Sequence, residues 1–166
     1  MSGKKRHQTV SSLQAYLKES IVDGIENEVK SIAMRTIRRY IHQNVYQRYS
    51  PAEGGYERTY ELVDSITLGN INVGTKYITF DVFMDTSKIN PYEQKSWNAH
   101  ANADYTQDTS DYIPLWIEEG TDGSLWDRDG AYYMQDSVRE LDDRREIKFA
   151  LYFALRRQGW EVKSRM

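Results

Sequence analysis

The sequence of 166 residues contains no cysteine and only three prolines. The absence of cysteine excludes a disulfide scaffold, a cysteine-ligated zinc site and a thiol nucleophile. No stretch approaches the roughly 18 consecutive apolar residues that a transmembrane helix requires, so no membrane partner is expected. The N-terminus carries no apolar run after its charges, and it therefore does not resemble a secretory signal. These absences predict a protein that is made and used in a cytoplasm.

Catalytic patterns are equally scarce. The three histidines, His7, His42 and His100, lie far apart in sequence and in no recognised motif, whereas serine-triad chemistry needs a positioned histidine. Glu118 and Glu119 are adjacent, and neighbouring helix positions point about 100° apart. These two carboxylates therefore cannot readily share one proton or one metal ion, and we expect no enzyme.

Cofactor motifs are missing as well. The sequence around Gly130 has part of a calcium-loop pattern, but Leu125 occupies the first ligand position and Asp136 replaces the expected bidentate glutamate. There is no glycine-rich phosphate loop of the Walker or Rossmann type. We expect no metal and no other cofactor.

Aromatic residues and charge are present in unusual distributions. Thirteen tyrosines and four tryptophans favour an oligomer or docking protein, because both residue types are enriched at interfaces. Nine Lys/Arg against four Asp/Glu occur in residues 1–50, three against eleven in 81–130, and eight against five in 139–166. An acidic middle between basic ends predicts charge complementarity between subunits. It argues against nucleic acid binding as the main activity.

The N-terminal third predicts a tail followed by a long helix. Residues 1–11 read as a flexible basic tail that includes Lys4, Lys5 and Arg6, and Ser11 with Gln14 offers a capping box. A helix of roughly 35 residues, about 50 Å long, is predicted from an apolar stripe that the small domain is too short to cover completely. The stripe consists of Leu13, Leu17, Ile21, Ile25, Val29, Ile32, Thr36, Ile37, Tyr40, Ile41 and Val45. Gly24 lies within it and predicts a bend or break.

The rest of the chain predicts a small sheet and further helices. Residues 58–66 indicate a short helix or turn, 71–73 and 76–85 two strands, and 112–119 a short helix that Gly120 ends in a left-handed C-cap. A last helical region follows, which Gly159 stops, with an edge strand at 160–162. The sequence thus predicts an α+β fold in which a long N-terminal helix, a small antiparallel β-sheet, a short helix and a C-terminal helix pack together. Residues 12–166 form one domain.

A polar loop at 86–110 interrupts this domain. Loops of this length inside compact domains are usually functional or disordered. Tyr92, Trp97 and Tyr105 punctuate it, which favours a loop that orders on contact with another chain.

Two segments carry a resemblance to a known family. The pattern Arg-Thr-x-x-Leu-x-x-Ser-Ile at 58–66 and the pattern aromatic-x-x-x-x-Ile-Glu-x-Gly-Thr at 112–121 resemble those of the tailed-bacteriophage tail-completion or head–tail joining (neck) proteins. The matching positions, interpreted as fold markers where helix meets sheet, are Arg58, Leu62, Ser65, Ile66, Ile117, Glu118, Gly120 and Thr121. The loop at 86–110 is longer than the family pattern, and the usual proline element before the last helix is absent.

The resemblance implies a structural virion protein at the head–tail junction that is also present in the host cytoplasm during assembly. It would form a ring, often a hexamer, contact other neck and tail proteins, and let DNA pass without sequence-specific binding. Partner contacts are predicted at Tyr92, Trp97, Tyr105, Tyr40, Tyr46 and Tyr49. Lumen-lining positions are predicted at Asp104, Asp108 and Asp111. The alternatives are a tail terminator or other minor tail protein, and an adaptor domain unrelated to phage.

Overall fold

The computed structural model describes residues 9–48, 60–89, 110–121 and 128–163, and their arrangement is α+β as predicted. The long N-terminal helix comprises α1 (Val10–Gly24), a π turn (Ile25–Val29), α2 (Lys30–Tyr40) and a second π turn (Ile41–Tyr46). The later elements are α3 (Glu61–Asp64), β1 (Ile66–Val73), β2 (Ile78–Met84), α4 (Ile113–Glu119), β3 (Gly120–Thr121), β4 (Arg128–Asp129), α5 (Tyr133–Asp143) and α6 (Glu146–Arg157).

The long helix begins earlier than the sequence pattern predicted. Thr9 is its N-cap: its hydroxyl accepts from the backbone N–H of Ser12 at 3.1 Å, and the Ser12 hydroxyl accepts from the N–H of Thr9 at 3.3 Å. The predicted capping box of Ser11 with Gln14 is wrong, because Ser12 already closes the reciprocal pair at the favoured spacing. Helix therefore occupies the end of the predicted tail.

The two π turns explain how one helix buries, on one side, apolar residues that recur every four positions rather than every 3.6. Buried apolar residues recur every four positions, at Ile25, Val29, Ala33, Ile37, Ile41 and Val45. On a uniform α-helix each four-residue step overshoots a full turn by about 40°, so that the stripe would drift around the axis. A π turn accommodates an extra residue and corrects such drift. The break predicted at Gly24 is therefore a π turn that begins at the next residue.

The hairpin is longer than predicted on its first strand. β1 starts at Ile66 rather than at residue 71, and its antiparallel register with β2 shifts between Leu68 and Ile71. Gly69 and Asn70 lie at this shift, and they form the irregular step of a β-bulge. On β2 the predicted alternation holds: Ile78, Phe80, Val82 and Met84 are half-buried, and the residues between them are exposed.

The C-terminal region is two helices. Arg145 has a positive φ of 52° and separates α5 from α6. Gly159 ends the last helical turn with a φ of 91°, as predicted. The predicted edge strand at 160–162 is wrong: Trp160 donates its backbone N–H to Leu155 at 3.0 Å and stacks on Tyr16.

The long helix contributes to two apolar cores. Its first half packs with α6 and the hairpin around Ile25, Val29 and Ala150. Its second half packs with α3, α4 and the start of α5 around Ile41 and Tyr133. Gly24 lies at the close crossing with α6, where a Cβ would be 3.2 Å from that of Ala154.

Candidate assembly surfaces

The first motif builds a tight corner between α3 and β1. The Ser65 side chain is fully buried, and its hydroxyl donates to the carbonyl of Leu62 at 2.8 Å. The carbonyl of Ser65 accepts from the backbone N–H of Asp85 at 2.7 Å, which joins the corner to the end of β2. Because this side chain is fully buried and hydrogen-bonded within the corner, the position serves the fold.

The second motif connects α4 to the start of α5. The Glu118 carboxylate accepts from the backbone N–H groups of Met134 and Gln135, each at 2.9 Å. These are N–H groups that a helix start leaves without intrahelical partners, and a carboxylate also complements the helix dipole there. Glu118 therefore caps a helix that begins 15 residues later in the chain.

Glycines allow the close approach of these two segments. Gly120 is the C-cap of α4, as predicted: its backbone N–H donates to the carbonyl of Trp116, and its φ of 89° is positive, although its ψ of 177° differs from the usual left-handed value. A Cβ at Gly130 would lie 2.7 Å from the carbonyl oxygen of Glu118. The neighbouring Ala131 donates its N–H to Ile117 at 2.9 Å. The motif thus acts through backbone pairing.

The outward face of α4 is apolar. Tyr112, Leu115 and Trp116, which we call the α4 surface, are each more than 40% exposed. The Tyr112 and Trp116 rings stack with centroids 5.8 Å apart and planes 21° apart. Adjacent to it, Asp111 accepts a hydrogen bond from the hydroxyl of Thr86. Rigid, stacked aromatic rings are effective interface anchors.

A second apolar surface is a groove between α2 and α6. Phe149 and Phe153 stand one turn apart on α6, 40% and 56% exposed, and Ile32 faces them from α2. The groove has a volume of about 420 Å³. Arg157 pairs with Glu28 at one end of it. We call it the phenylalanine groove.

A third apolar surface lies at the start of α1. Val10, Leu13 and Leu17 are 72%, 42% and 36% exposed and continue the stripe that is covered from Ile21 onward. We call them the α1 ridge. The expectation that the domain leaves part of the stripe uncovered agrees with this exposure.

A charged cluster ties α2 to α5. The Tyr40 hydroxyl donates to Glu140 at 2.7 Å, Arg39 binds the same oxygen, and Arg144 pairs with the other at 2.8 Å. The hydrogen bonds from Arg39 and then Tyr40 hold the pKa of the Glu140 carboxyl below its ordinary value. The same bonds raise the pKa values of Arg39 and Tyr40.

The chain matches the family model YomN over residues 9–157, from the cap of α1 to the last residue of α6. It belongs to the YomN family. The family bears the name of a gene from a Bacillus prophage, and the chain is a phage-related protein. No curated protein and no solved structure matches it.

Two predicted partner contacts of this YomN-family chain have roles within the fold. Tyr40 binds Glu140, and the Tyr46 hydroxyl accepts from the backbone N–H of Val63 at 3.3 Å while its ring meets that of Tyr60. Both side chains are half-buried. Their contact with another subunit stays a prediction.

The remaining predicted residues divide between places in the YomN fold and places outside the described part of the chain. Of the fold markers, Leu62 and Ile66 are buried on either side of Ser65, and Thr121 pairs with Arg128. Asp111 is exposed beside the α4 surface. Outside the described residues lie Arg58, Tyr49, Tyr92, Trp97, Tyr105, Asp104 and Asp108.

The phenylalanine groove was missed at the sequence level. Phe149 and Phe153 repeat at four-residue spacing, offset by two positions from Ile147 and Leu151, which pack against the core around Ile25 and Val29. This second row of apolar residues on α6 is the feature of the sequence that could have predicted the groove. Within the described ranges no three metal-binding side chains cluster, and no helix there is long and apolar enough to cross a membrane.

Proposed function

We propose that this protein is a structural component of the phage neck, a tail-completion or head–tail joining protein that assembles as a ring. It acts by binding rather than by turnover. Its family is named after a prophage gene, and its two motifs resemble those of neck proteins. A ring subunit needs contacts to its neighbours in the ring and to the components above and below.

The observation that carries the proposal is the presence of three separate apolar surfaces among the described residues. The α4 surface, the phenylalanine groove and the α1 ridge lie on different elements. Large apolar patches on a small protein mark interaction sites. Two of them, the groove and the ridge, suit contacts within a ring, and the α4 surface suits a neck or tail protein along the axis.

The test is reconstitution of the head–tail junction. Phage heads and tails are prepared without this protein, purified full-length chain is added, and joined particles are counted by negative-stain microscopy. We expect joined particles with a ring at the junction. Monomers without affinity for heads or tails would contradict the proposal, and rings found only on free tails would support a tail terminator instead.

A matched pair of variants tests the α4 surface. Trp116→Asp should lower the number of joined particles by roughly tenfold, because a buried aromatic anchor carries much of an interface's affinity. Val138→Asp places the same charge at a position that is 59% exposed on α5, a helix that contributes to none of the three surfaces. It should join particles normally. Equal activity of both variants would exclude the α4 surface from the junction.

A further inference from the structure

The phenylalanine groove has the shape that receives a short apolar helix. Its two rings lie at positions i and i+4 of α6, so they form one ridge along that helix, and Ile32 of α2 closes the other side. Helices pack by placing a row of i and i+4 side chains into such a groove. The length from Glu146 to Arg157, which both line it, is roughly 16 Å at 1.5 Å per residue.

The chain itself presents a matching helix. Leu13 and Leu17 of the α1 ridge also lie at positions i and i+4, and Val10 lies one turn before Leu13. This row spans roughly 10 Å, so it fits within the groove. No charged residue lies between Val10 and Leu17. Such a row brings no charge of its own against the two phenylalanine rings, and the charged residues of the groove lining are Glu28, Arg35, Glu146 and Arg157.

The ridge and the groove cannot meet within one copy. Gly24 packs against Ala154, next to Phe153, whereas Leu13 lies eleven residues before Gly24 along the same helix. At 1.5 Å per residue this places Leu13 roughly 16 Å from that crossing. The two surfaces are therefore available to different copies.

Charge indicates which way the helix would lie. Asp142 and Asp143 are exposed just before Glu146, at one end of the groove, where Arg144 pairs with Glu140 and Glu146. Arg145 is exposed beside them, and Arg35 is a further cation in the groove lining. The start of α1 carries the positive end of a helix dipole and has no acidic residue in its first turn. The sequence adds three consecutive cations at residues 4–6. The start of α1 therefore fits the acidic end.

We infer that the α1 ridge of one copy docks in the phenylalanine groove of the next copy. The contact joins two different surfaces, so repetition gives a ring if the rotation closes. This inference rests on the proposed ring assembly and names its subunit interface. Its occupant is a second copy of this chain.

The first test uses charge substitutions and mass measurement by light scattering. Full-length Leu13→Glu and Phe153→Glu should each be monomeric at concentrations where the unsubstituted chain assembles, and Val138→Glu should assemble normally. A mixture of the first two variants should stop at dimers, because one intact ridge can still enter one intact groove. Thermal unfolding of each variant verifies that it is folded.

The second test introduces cysteines that can form a disulfide between two copies. The chain has no cysteine of its own, so no other disulfide can form. The variant carrying both Leu13→Cys and Phe153→Cys should give a ladder of oxidised multimers, since disulfides require Cα atoms within about 7 Å. Each single-cysteine variant should give no ladder. Strong dimerisation of Phe153→Cys alone would show pairing of two α6 helices and overturn the inference.

The outcomes separate the interface from the proposed function. Unsubstituted chain that stays monomeric, or assembly unchanged in both glutamate variants, would overturn the interface. If assembly is unchanged in both glutamate variants, joined particles in the reconstitution experiment would still support the neck function. Assembly that depends on both surfaces without any joining of heads to tails would support the interface and contradict the neck function.

Discussion

Glu118 caps helix α5 by accepting the backbone N–H of Met134, and so joins α4 to a helix that follows it in the chain. Replacing Glu118 with alanine should lower the free energy of unfolding by about 1–2 kcal/mol, the usual cost of losing a helix cap. Urea unfolding measures this loss. Glu119→Ala alters an exposed neighbour in the same helix and should change stability by less than about 0.5 kcal/mol. Equal effects of the two variants would contradict the capping role.

Arg145 should be replaceable with a gain in stability. Its φ of 52° costs a non-glycine residue roughly 1 kcal/mol, and glycine adopts this conformation freely. Arg145→Gly should therefore raise the free energy of unfolding by up to about 1 kcal/mol. Arg139→Gly, inside α5, should lower it by a similar amount. Thermal unfolding compares the pair, and a loss of stability in both would refute the prediction.

The Glu140 cluster should make stability depend on pH. Because its pKa is lowered in the folded state, the carboxylate stabilises the protein above the ordinary unfolded value of about 4.3. That contribution is lost as the pH falls through the lower folded-state pKa. Glu140→Gln should cost about 1 kcal/mol at neutral pH, since Arg39 is partly exposed.

This difference should shrink in acid, as measured by urea unfolding at several pH values. Asp142→Asn changes an exposed carboxyl near the same helix end and serves as the control. A cost for Glu140→Gln that stays constant down to strongly acidic pH would show that packing, rather than charge, holds the cluster together.

The long helix should tolerate replacement of an apolar side chain by alanine near its start but not near its end. Ile41→Ala removes a fully buried side chain and should cost about 2–5 kcal/mol. Leu13→Ala removes a side chain that is 42% exposed and should cost less than about 1 kcal/mol in the monomer. Urea unfolding at a concentration below assembly compares them. A large cost for Leu13 in the monomer would mean that the ridge packs within its own chain.

Elements with one dominant local signal could be predicted from the sequence. The long apolar stripe predicted the first helix, the alternation in residues 78–84 predicted β2, and Gly159 predicted the end of α6. Each depends on periodicity or on a single backbone preference. These signals were sufficient for the α+β class.

Elements decided by tertiary contact could not be predicted. The extension of β1 through Gly69 depends on pairing with β2, and the place of Trp160 depends on the ring of Tyr16. Likewise, the role of Glu118 requires the start of α5 to lie nearby. The three apolar surfaces could not be predicted because the sequence does not show which apolar residues other elements cover.

The first π turn sets the direction of the α1 ridge. The ridge lies before Ile25–Val29, and the residues that anchor the helix in the second core lie after it. Deleting one residue from the regular α-helix between Leu17 and this turn, with the turn kept, would rotate everything on its N-terminal side by about 100°. The ridge would keep its amino acids and face elsewhere. A change in residue number, without any change in chemistry, is thus enough to redirect a docking surface.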